Sequence, residues 1–539
     1  MTMPKQLSRD EVFQRLEQFT EQDYNWRTGK CYAYTFDAGK EPEEVAKAAF
    51  QEFMSKNALD MTFFPSVLAL ENRVVAMAAK HLGGDAETSG TFTSGGTESI
   101  ILAVKAARDY FRHVRPDITE PEMILPISAH AAFHKAAHYL DVKKVVVPID
   151  PQTFKADVAA VRDAVTPNTI LLVGSASNYA YGTVDPIPEL GQIALQHGLL
   201  LHVDGCIGGF LLPYFKEFGQ DTVDFDLSVP GVTSISMDLH KYCYAPKGAS
   251  VVLYKSKTIR RHQYFACADW TGYTMINATV QSTKSAGPMA GAWAVMNLLG
   301  EEGYRKIAEG LYEAKNRIRD GIAAMPQFRI LGTPELPLVA FTSDTINVFK
   351  VIDAMNARGW YIQAQLKTGT YPECIHLSIN PSNLPHTEAM LKDLAEVAAT
   401  IKDKPGSKAA KTVSTLFGHL NPDRISDSVF DKMIGMAGMD SVGVPDNMSD
   451  INDIMNALPL PLAERLLVMF VNRLFTPEGT DLPAVSQKWQ PVKGPSHDLQ
   501  ARPTGHRPSG PLGQALDTAK GLAENLRGRL PGLGRSRRR

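Results

Sequence analysis

The sequence predicts an α/β protein: a large domain built on a mostly parallel sheet, then a smaller C-terminal α/β domain. Three observations predict it. Short apolar runs alternate with helical periods over roughly residues 68–319. Several of these runs, 169–175 and 199–203 among them, are apolar almost throughout, as strands covered on both faces are. A second alternating block follows at about 320–403. The 539 residues exceed the roughly 100–200 of a single domain.

Taken in order, residues 1–66 form a lead-in segment, with a polar start suited to an amphipathic helix and an Ala- and Glu-rich helical stretch at 41–54. The large domain, 67–319, carries helical periods at 66–81 and 97–114 and strand candidates at 144–148, 169–175, 199–204, 233–237 and 249–254. The smaller domain, 320–403, holds the runs 328–331, 345–351 and 375–379 and a helix at 387–401. Residues 404–485 read as a helical extension with a Gly-, Pro- and Asp-rich break at 442–447. Residues 486–539 have eleven Lys and Arg against three acids and end Arg535-Ser536-Arg537-Arg538-Arg539, the composition of a disordered tail. Within the tail, 512–530 suits a short basic amphipathic helix; a solvated tail is favoured over a membrane or partner contact.

Composition bounds the function. Apolar residues make up 44% and charged residues 21%, enough to fill a sizeable core. A net charge of -2 gives no bias toward nucleic acid or membrane. The five cysteines are odd in number and irregularly spaced and include no CxxC, which argues against a disulfide framework or a metal site and for a reducing compartment. There is no secretory signal, and no run approaches the ~20 apolar residues of a membrane-spanning helix. The expectation is a soluble cytoplasmic protein with no nucleic-acid partner and no transmembrane segment.

Four segments carry chemistry. In Ser234-Ile-Ser-Met-Asp-Leu-His-Lys241 an apolar strand runs into Asp238, His240 and Lys241. Partial desolvation at a strand end lowers a lysine's pKa and frees the amine for Schiff-base chemistry, and His240 can donate to a phosphate or shuttle a proton. Taken alone, such a lysine is more often a solvated turn residue. In the block from Leu200 to Gly209 a strand ends in Asp204, where ligands of open α/β sheets sit. A carboxylate there can hold a protonated pyridine nitrogen and keep the ring an electron sink, or simply cap the next segment. Thr93-Ser-Gly95-Gly96-Thr97-Glu-Ser99 opens a helical run and suits an anion such as a cofactor phosphate, although most Gly-rich turns are only turns. In Ser128-Ala-His130 the imidazole can stack on an aromatic cofactor ring or merely start a helix.

The order of the four segments resembles the group II pyridoxal-phosphate decarboxylases, and within them the sphingosine-1-phosphate lyase group. The stretches that carry the likeness are TSGGTES (93–99), SAHAAFHKA (128–136), HVDGCIGGF (202–210) and SISMDLHKYCYAPKGAS (234–250), within a span of about 31–380. The resemblance implies an aspartate-aminotransferase-like fold (fold type I) and pyridoxal 5'-phosphate as cofactor. It implies that Lys241 forms the imine with the cofactor, that Asp204 pairs with the ring nitrogen, that His130 stacks on the ring, and that Gly95, Gly96, Thr97 and His240 surround the phosphate. It further implies a homodimer with a shared active site, in which a turn of the neighbouring subunit reaches the phosphate. The aligned turn here is Ser282-Thr283-Lys284, where Lys in place of Arg keeps the charge but loses the bidentate fork.

The resemblance implies that Lys247, Tyr179 and Tyr34 face the substrate, and it puts Asp60 where the group has a histidine. A carboxylate there repels a phosphate unless protonated or bridged. Three readings stay open: a carbon–carbon lyase acting by retro-aldol cleavage on a phosphorylated sphingoid base or similar amino alcohol, an amino-acid decarboxylase (carboxy-lyase), and a non-catalytic scaffold. Lys247 and Tyr179 favour the first.

Overall fold

A computed structural model describes residues 5–402, 406, 410–411, 414–415, 420–436 and 448–475. The tail expected at 486–539, its helix at 512–530 and the break at 442–447 lie outside the described residues.

The central sheet has seven strands: β1 (Ser89–Thr93), β2 (Glu122–Pro126), β3 (Lys143–Val147), β4 (Thr169–Ser175), β5 (Leu200–Asp204), β6 (Val232–Met237) and β7 (Ser250–Tyr254). Their order is β1-β7-β6-β5-β4-β2-β3. The five from β6 to β3 run parallel, and β7 is antiparallel to both its neighbours. Every residue of β4 and β5 is buried, as expected of apolar strands covered on both faces. The carboxyl ends of β4, β5 and β6 open on one edge, which places Ser175, Asp204 and the turn after Met237 side by side.

Five of these strands match the expected runs to within a residue or so at each end. β1 and β2 have no counterpart among them. β1 reads Ser-Gly-Thr-Phe-Thr and is polar by composition. Its two threonine hydroxyls are paired where they are buried: Thr91 Oγ1 accepts from Gln263 Nε2 at 3.1 Å, and Thr93 Oγ1 lies 2.6 Å from Ser99 Oγ, which lies 2.9 Å from Ser250 Oγ on β7.

A hairpin follows, β8 (Phe265–Cys267) with β9 (Met275–Asn277), and then the long helix Gly287–Ala323. Gly300 breaks that helix at φ +55°, a conformation open to glycine at little cost. The second sheet is antiparallel, with β10 (Arg329–Ile330), β11 (Leu338–Thr342), β13 (Cys374–Ser378) and β12 (Gln363–Gln365) in that spatial order. The run at 345–351 is not a strand. Asn347 accepts hydrogen bonds from the Phe349 and Lys350 amides and starts the helix Val348–Asn356, and Leu338–Thr342 supplies the strand.

Within 404–485 lie the helices Asp427–Met436, Ser449–Ala457 and Leu460–Leu474. They share a small apolar cluster that includes Phe430, Ile454 and Leu462. The Asp353 carboxylate accepts from the Met448 and Ser449 amides, and Asn347 Nδ2 donates to Asp453 at 2.9 Å, which fastens this cluster to the helix Val348–Asn356. Among the described residues no helix is long and apolar enough to cross a membrane.

Candidate active site

After β6 the chain turns through Asp238-Leu239-His240-Lys241 and returns to β7. The turn is closed by hydrogen bonds from the Ala245 amide to the Leu239 carbonyl and from the His240 amide to the Ala249 carbonyl. Asp238, His240 and Lys241 thereby face a cavity of about 350 Å³ at the carboxyl edge of the sheet. Asp204 enters it from the neighbouring strand, its Oδ1 accepting from the Cys206 amide at 3.0 Å. Below Asp204, His202 lies between the Ser234 and Ser236 hydroxyls, and burial pushes its pKa down to about 4, so it stays neutral.

Opposite in sequence, the loop after β1 brings Ser94, Gly95, Gly96 and Thr97 to the same cavity. The helix Gly96–Val114 starts there, and its first intrahelical bond runs from the Ser99 amide to the Gly95 carbonyl. The preceding amides therefore remain as anion donors, backed by the helix dipole. A Cβ at Gly96 would stand 2.7 Å from Cys206 Sγ and 2.9 Å from Asp238 Oδ1, so a side chain would force the loop off the sheet edge. Glu98 holds the loop in shape, accepting from the Ser94 amide at 2.6 Å and from the Val280 amide at 2.8 Å.

Lys241 Nζ lies 2.9 Å from Asp238 Oδ2, and His240 Nε2 lies 3.6 Å from the same oxygen. This corrects the expectation of a lowered lysine pKa. Burial is the largest single influence and does push the amine down, but the Asp238 carboxylate, helped by Cys206 and Asp204, outweighs it and holds Lys241 above the ordinary lysine value. Asp238 is buried too, yet the Lys241 charge, the largest opposing influence, keeps it below the usual carboxylate range. His240 Nδ1 accepts from the Ala249 amide at 3.1 Å, and burial pushes the ring's pKa down, so the neutral ring carries its proton on Nε2. His130 takes the helix-start role weighed for it and stands in the cavity as well. It caps the helix Ala131–Leu140 through Nδ1, which accepts from the Ala132 amide at 3.1 Å, and it also lines the cavity.

The cavity fits pyridoxal 5'-phosphate. It offers helix-start amides, Thr97 and His240 for a phosphate, a carboxylate at Asp204 for a ring nitrogen and an amine at Lys241 for an aldehyde. Two of its buried lining hydroxyls, Ser175 Oγ and Ser177 Oγ, have no hydrogen-bond partner among the described residues and so remain to serve a polar ligand.

The remaining expected residues divide. Tyr179 lines the same cavity, and its Oη donates to Gln363 Oε1 at 2.5 Å. Gln363 Nε2 in turn donates to Tyr34 Oη at 3.1 Å. Lys247 donates to the His240 carbonyl at 3.2 Å and lines an adjoining cleft with Phe36, Phe50 and Tyr244. Tyr34, which is exposed, Asp60, Ser282 and Thr283 are absent from the lining of the Lys241 cavity. The segments that carry the last three are joined to each other, since the Ala58 amide donates to the Lys284 carbonyl and the Ala286 amide to the Lys56 carbonyl, both at 2.9 Å. Asp60 Oδ1 closes its own exposed turn by accepting from the Thr62 amide and hydroxyl. Sequence reasoning assigned no role to Asp238, Ser177 or Gln363. Ser177 follows the carboxyl end of β4, which is a legible signal; Gln363 has none.

Comparison with known proteins agrees with this geometry. The family described as pyridoxal-dependent decarboxylase conserved domain matches residues 9–344, and a second, described as pyridoxal-dependent enzyme, C-terminal putative HTH domain, matches 411–473. The chain is 41% identical to the sphingosine-1-phosphate lyase of Arabidopsis thaliana over 74% of this chain and 73% of that one. It is 33% identical to a probable L-aspartate decarboxylase of Pyrococcus furiosus over 67% of this chain and 94% of that one. The solved structure of a Burkholderia pseudomallei sphingosine-1-phosphate lyase superposes with a TM-score of 0.71 at 36% identity, over 75% of this chain and 93% of that one. Fold and cavity define a fold-type I, pyridoxal-phosphate-dependent lyase, which retires the scaffold reading. The chain belongs to the pyridoxal-dependent decarboxylase family, among relatives named sphingosine-1-phosphate lyase.

Proposed function

We propose that the chain cleaves the Cα–Cβ bond of a phosphorylated sphingoid base, or of a similar phosphorylated amino alcohol, by a retro-aldol reaction that releases an aldehyde and a phosphorylated ethanolamine. One observation carries the choice of substrate. Lys247 is held against the carbonyl of His240, itself a wall of the cofactor cavity, and among the described residues its ammonium forms no ion pair with a carboxylate. A cation so placed suits a substrate phosphate.

Bound pyridoxal phosphate supplies an electron-poor ring that takes up the electron pair released when Cα–Cβ breaks. Lys241 would hold the cofactor through its amine. Its Nζ, once free beside Asp238, keeps a proton 2.9 Å from the carboxylate. Asp204 would keep the ring nitrogen protonated. His130, its Nδ1 tied to the Ala132 amide, turns the rest of its ring to the cavity. Gly95, Gly96, Thr97 and His240 would bind the cofactor phosphate. The five cysteines are free and four are buried, which supports a reducing, cytoplasmic setting.

The second reading, amino-acid decarboxylation, keeps support from the Pyrococcus relative. Lys247→Met separates the two. It is expected to raise KM for a sphingoid-base phosphate roughly 10-fold or more, the worth of a hydrogen bond to a charged group, while leaving cofactor content unchanged. An unaltered KM would remove the main support for a phosphorylated substrate.

We also infer a homodimer whose partner subunit supplies Ser282 and Thr283. These residues are absent from the lining of their own chain's cavity and follow in sequence a segment that exposes Phe265, Trp270, Tyr273, Ile276 and Val280. Ser282→Ala with Thr283→Ala should weaken cofactor binding roughly tenfold. Mixed dimers of that chain with a Lys241→Ala chain should regain wild-type affinity at half the sites. No regain would mean that the turn serves its own chain or no site at all.

A further inference from the structure

Gln363 lies on β12 of the second sheet, 184 residues from Tyr179 and 329 from Tyr34, and bridges the two phenols. A carboxamide has one acceptor end and one donor end. Here the acceptor end takes the Tyr179 proton at 2.5 Å, and the donor end gives a proton to Tyr34 Oη at 3.1 Å. Tyr179 has a single proton, so its oxygen can only accept from any other group, and the Ser378 side chain already hydrogen-bonds to it. Tyr34 Oη is already an acceptor from Gln363 and has the Tyr361 hydroxyl as a second hydrogen-bonding neighbour, so its own proton is not used by the Gln363 bridge. Two like side chains thus become unlike.

The surroundings hold this arrangement. The Tyr179 ring rests on His376, centroids 4.5 Å apart, and burial pushes the His376 pKa down to about 4, so it is a neutral platform. Burial also raises the Tyr179 phenol, which keeps it protonated at neutral pH. Tyr34 sits at φ +61°, a left-handed conformation that is strained for a bulky residue and survives where neighbouring contacts impose it. Gln363 Nε2 and the edge of the Tyr361 ring are such contacts.

We propose that Gln363 is a positioning and specificity-determining residue, which sets Tyr179 as the acceptor and Tyr34 as the donor toward the substrate. This rests on the reading of the two tyrosines as substrate-facing. An acceptor beside a donor matches a substrate that carries a hydroxyl or ammonium next to an anionic group.

The test uses the cofactor-loaded enzyme and a sphingoid-base phosphate. Gln363→Met, similar in size without the bridge, is expected to raise KM roughly 3- to 10-fold with a smaller change in kcat and no change in cofactor absorbance. In a background carrying both Tyr34→Phe and Tyr179→Phe it should add less than twofold, because both partners are already gone. Gln363→Glu supplies a control that needs no new packing. As a carboxylate it accepts from both phenols and should raise KM relative to wild type at pH 8. Once protonated it regains one donor and one acceptor, and the ratio should fall back toward one as the pH drops to 5. A silent Gln363→Met beside kinetically active tyrosines would overturn the inference alone, as would a full, multiplicative effect in the background lacking both phenols or a pH-independent Gln363→Glu ratio. If Tyr34→Phe and Tyr179→Phe are both silent, the substrate-facing reading falls with it.

Discussion

Replacing Lys241 by alanine is expected to lower kcat by on the order of 10⁴-fold or more, as removal of a residue that bonds covalently in the reaction does. The same change leaves the Asp238 carboxylate buried without the partner that now stands 2.9 Å away. Breaking such a pair costs about 3–5 kcal/mol, so Lys241→Ala should also melt at a lower temperature. Lys241→Arg separates the two effects. The guanidinium keeps a cation beside Asp238 but stays protonated and cannot attack an aldehyde. It should restore most of the melting temperature and none of the turnover. Turnover by either variant within a hundredfold of wild type would show that another amine does the work.

Asp204→Ala is expected to be the second most damaging change, lowering kcat roughly 10²–10⁴-fold, the range for a positioned proton-holding group. The carboxylate stands at the end of β5 with Oδ1 on the Cys206 amide, and no other carboxylate is brought into the cavity from that strand. The anion-binding loop belongs to a different strand end, so cofactor retention should fall less than turnover. The check is kcat measured together with bound cofactor by absorbance. A loss under tenfold with full occupancy would mean that Asp204 only caps the Gly205-Cys206 turn.

The legibility of the fold followed burial. β4 and β5 are apolar on both faces and could be read directly, whereas β1 is a run of hydroxyls whose buried partners include Ser99 and Ser250, six and 157 residues beyond Thr93. The helix Val348–Asn356 was obscured because its cap, Asn347, stands inside an apolar run. In the site, Lys241, His240, Asp204, His130 and the Gly95–Gly96 loop were legible because each follows a strand end, the place where open α/β sheets bind ligands. The sign of the Lys241 shift was not, because sequence shows burial but not that the Asp238 carboxylate turns toward the amine. Gln363 was not either, since its meaning lies wholly in two phenols remote in the chain. The separation of Ser282 and Thr283 from the Lys241 cavity is likewise a fact of three dimensions.

The most direct test of the proposed reaction is product mass after incubation of the cofactor-loaded protein with a long-chain sphingoid-base phosphate and, in parallel, with L-aspartate and other amino acids. The expected products are a long-chain aldehyde and phosphoethanolamine in equal amounts from the lipid, and no carbon dioxide from the amino acids. Carbon dioxide from an amino acid, with no aldehyde from the lipid phosphate, would contradict the assignment and make the chain a carboxy-lyase.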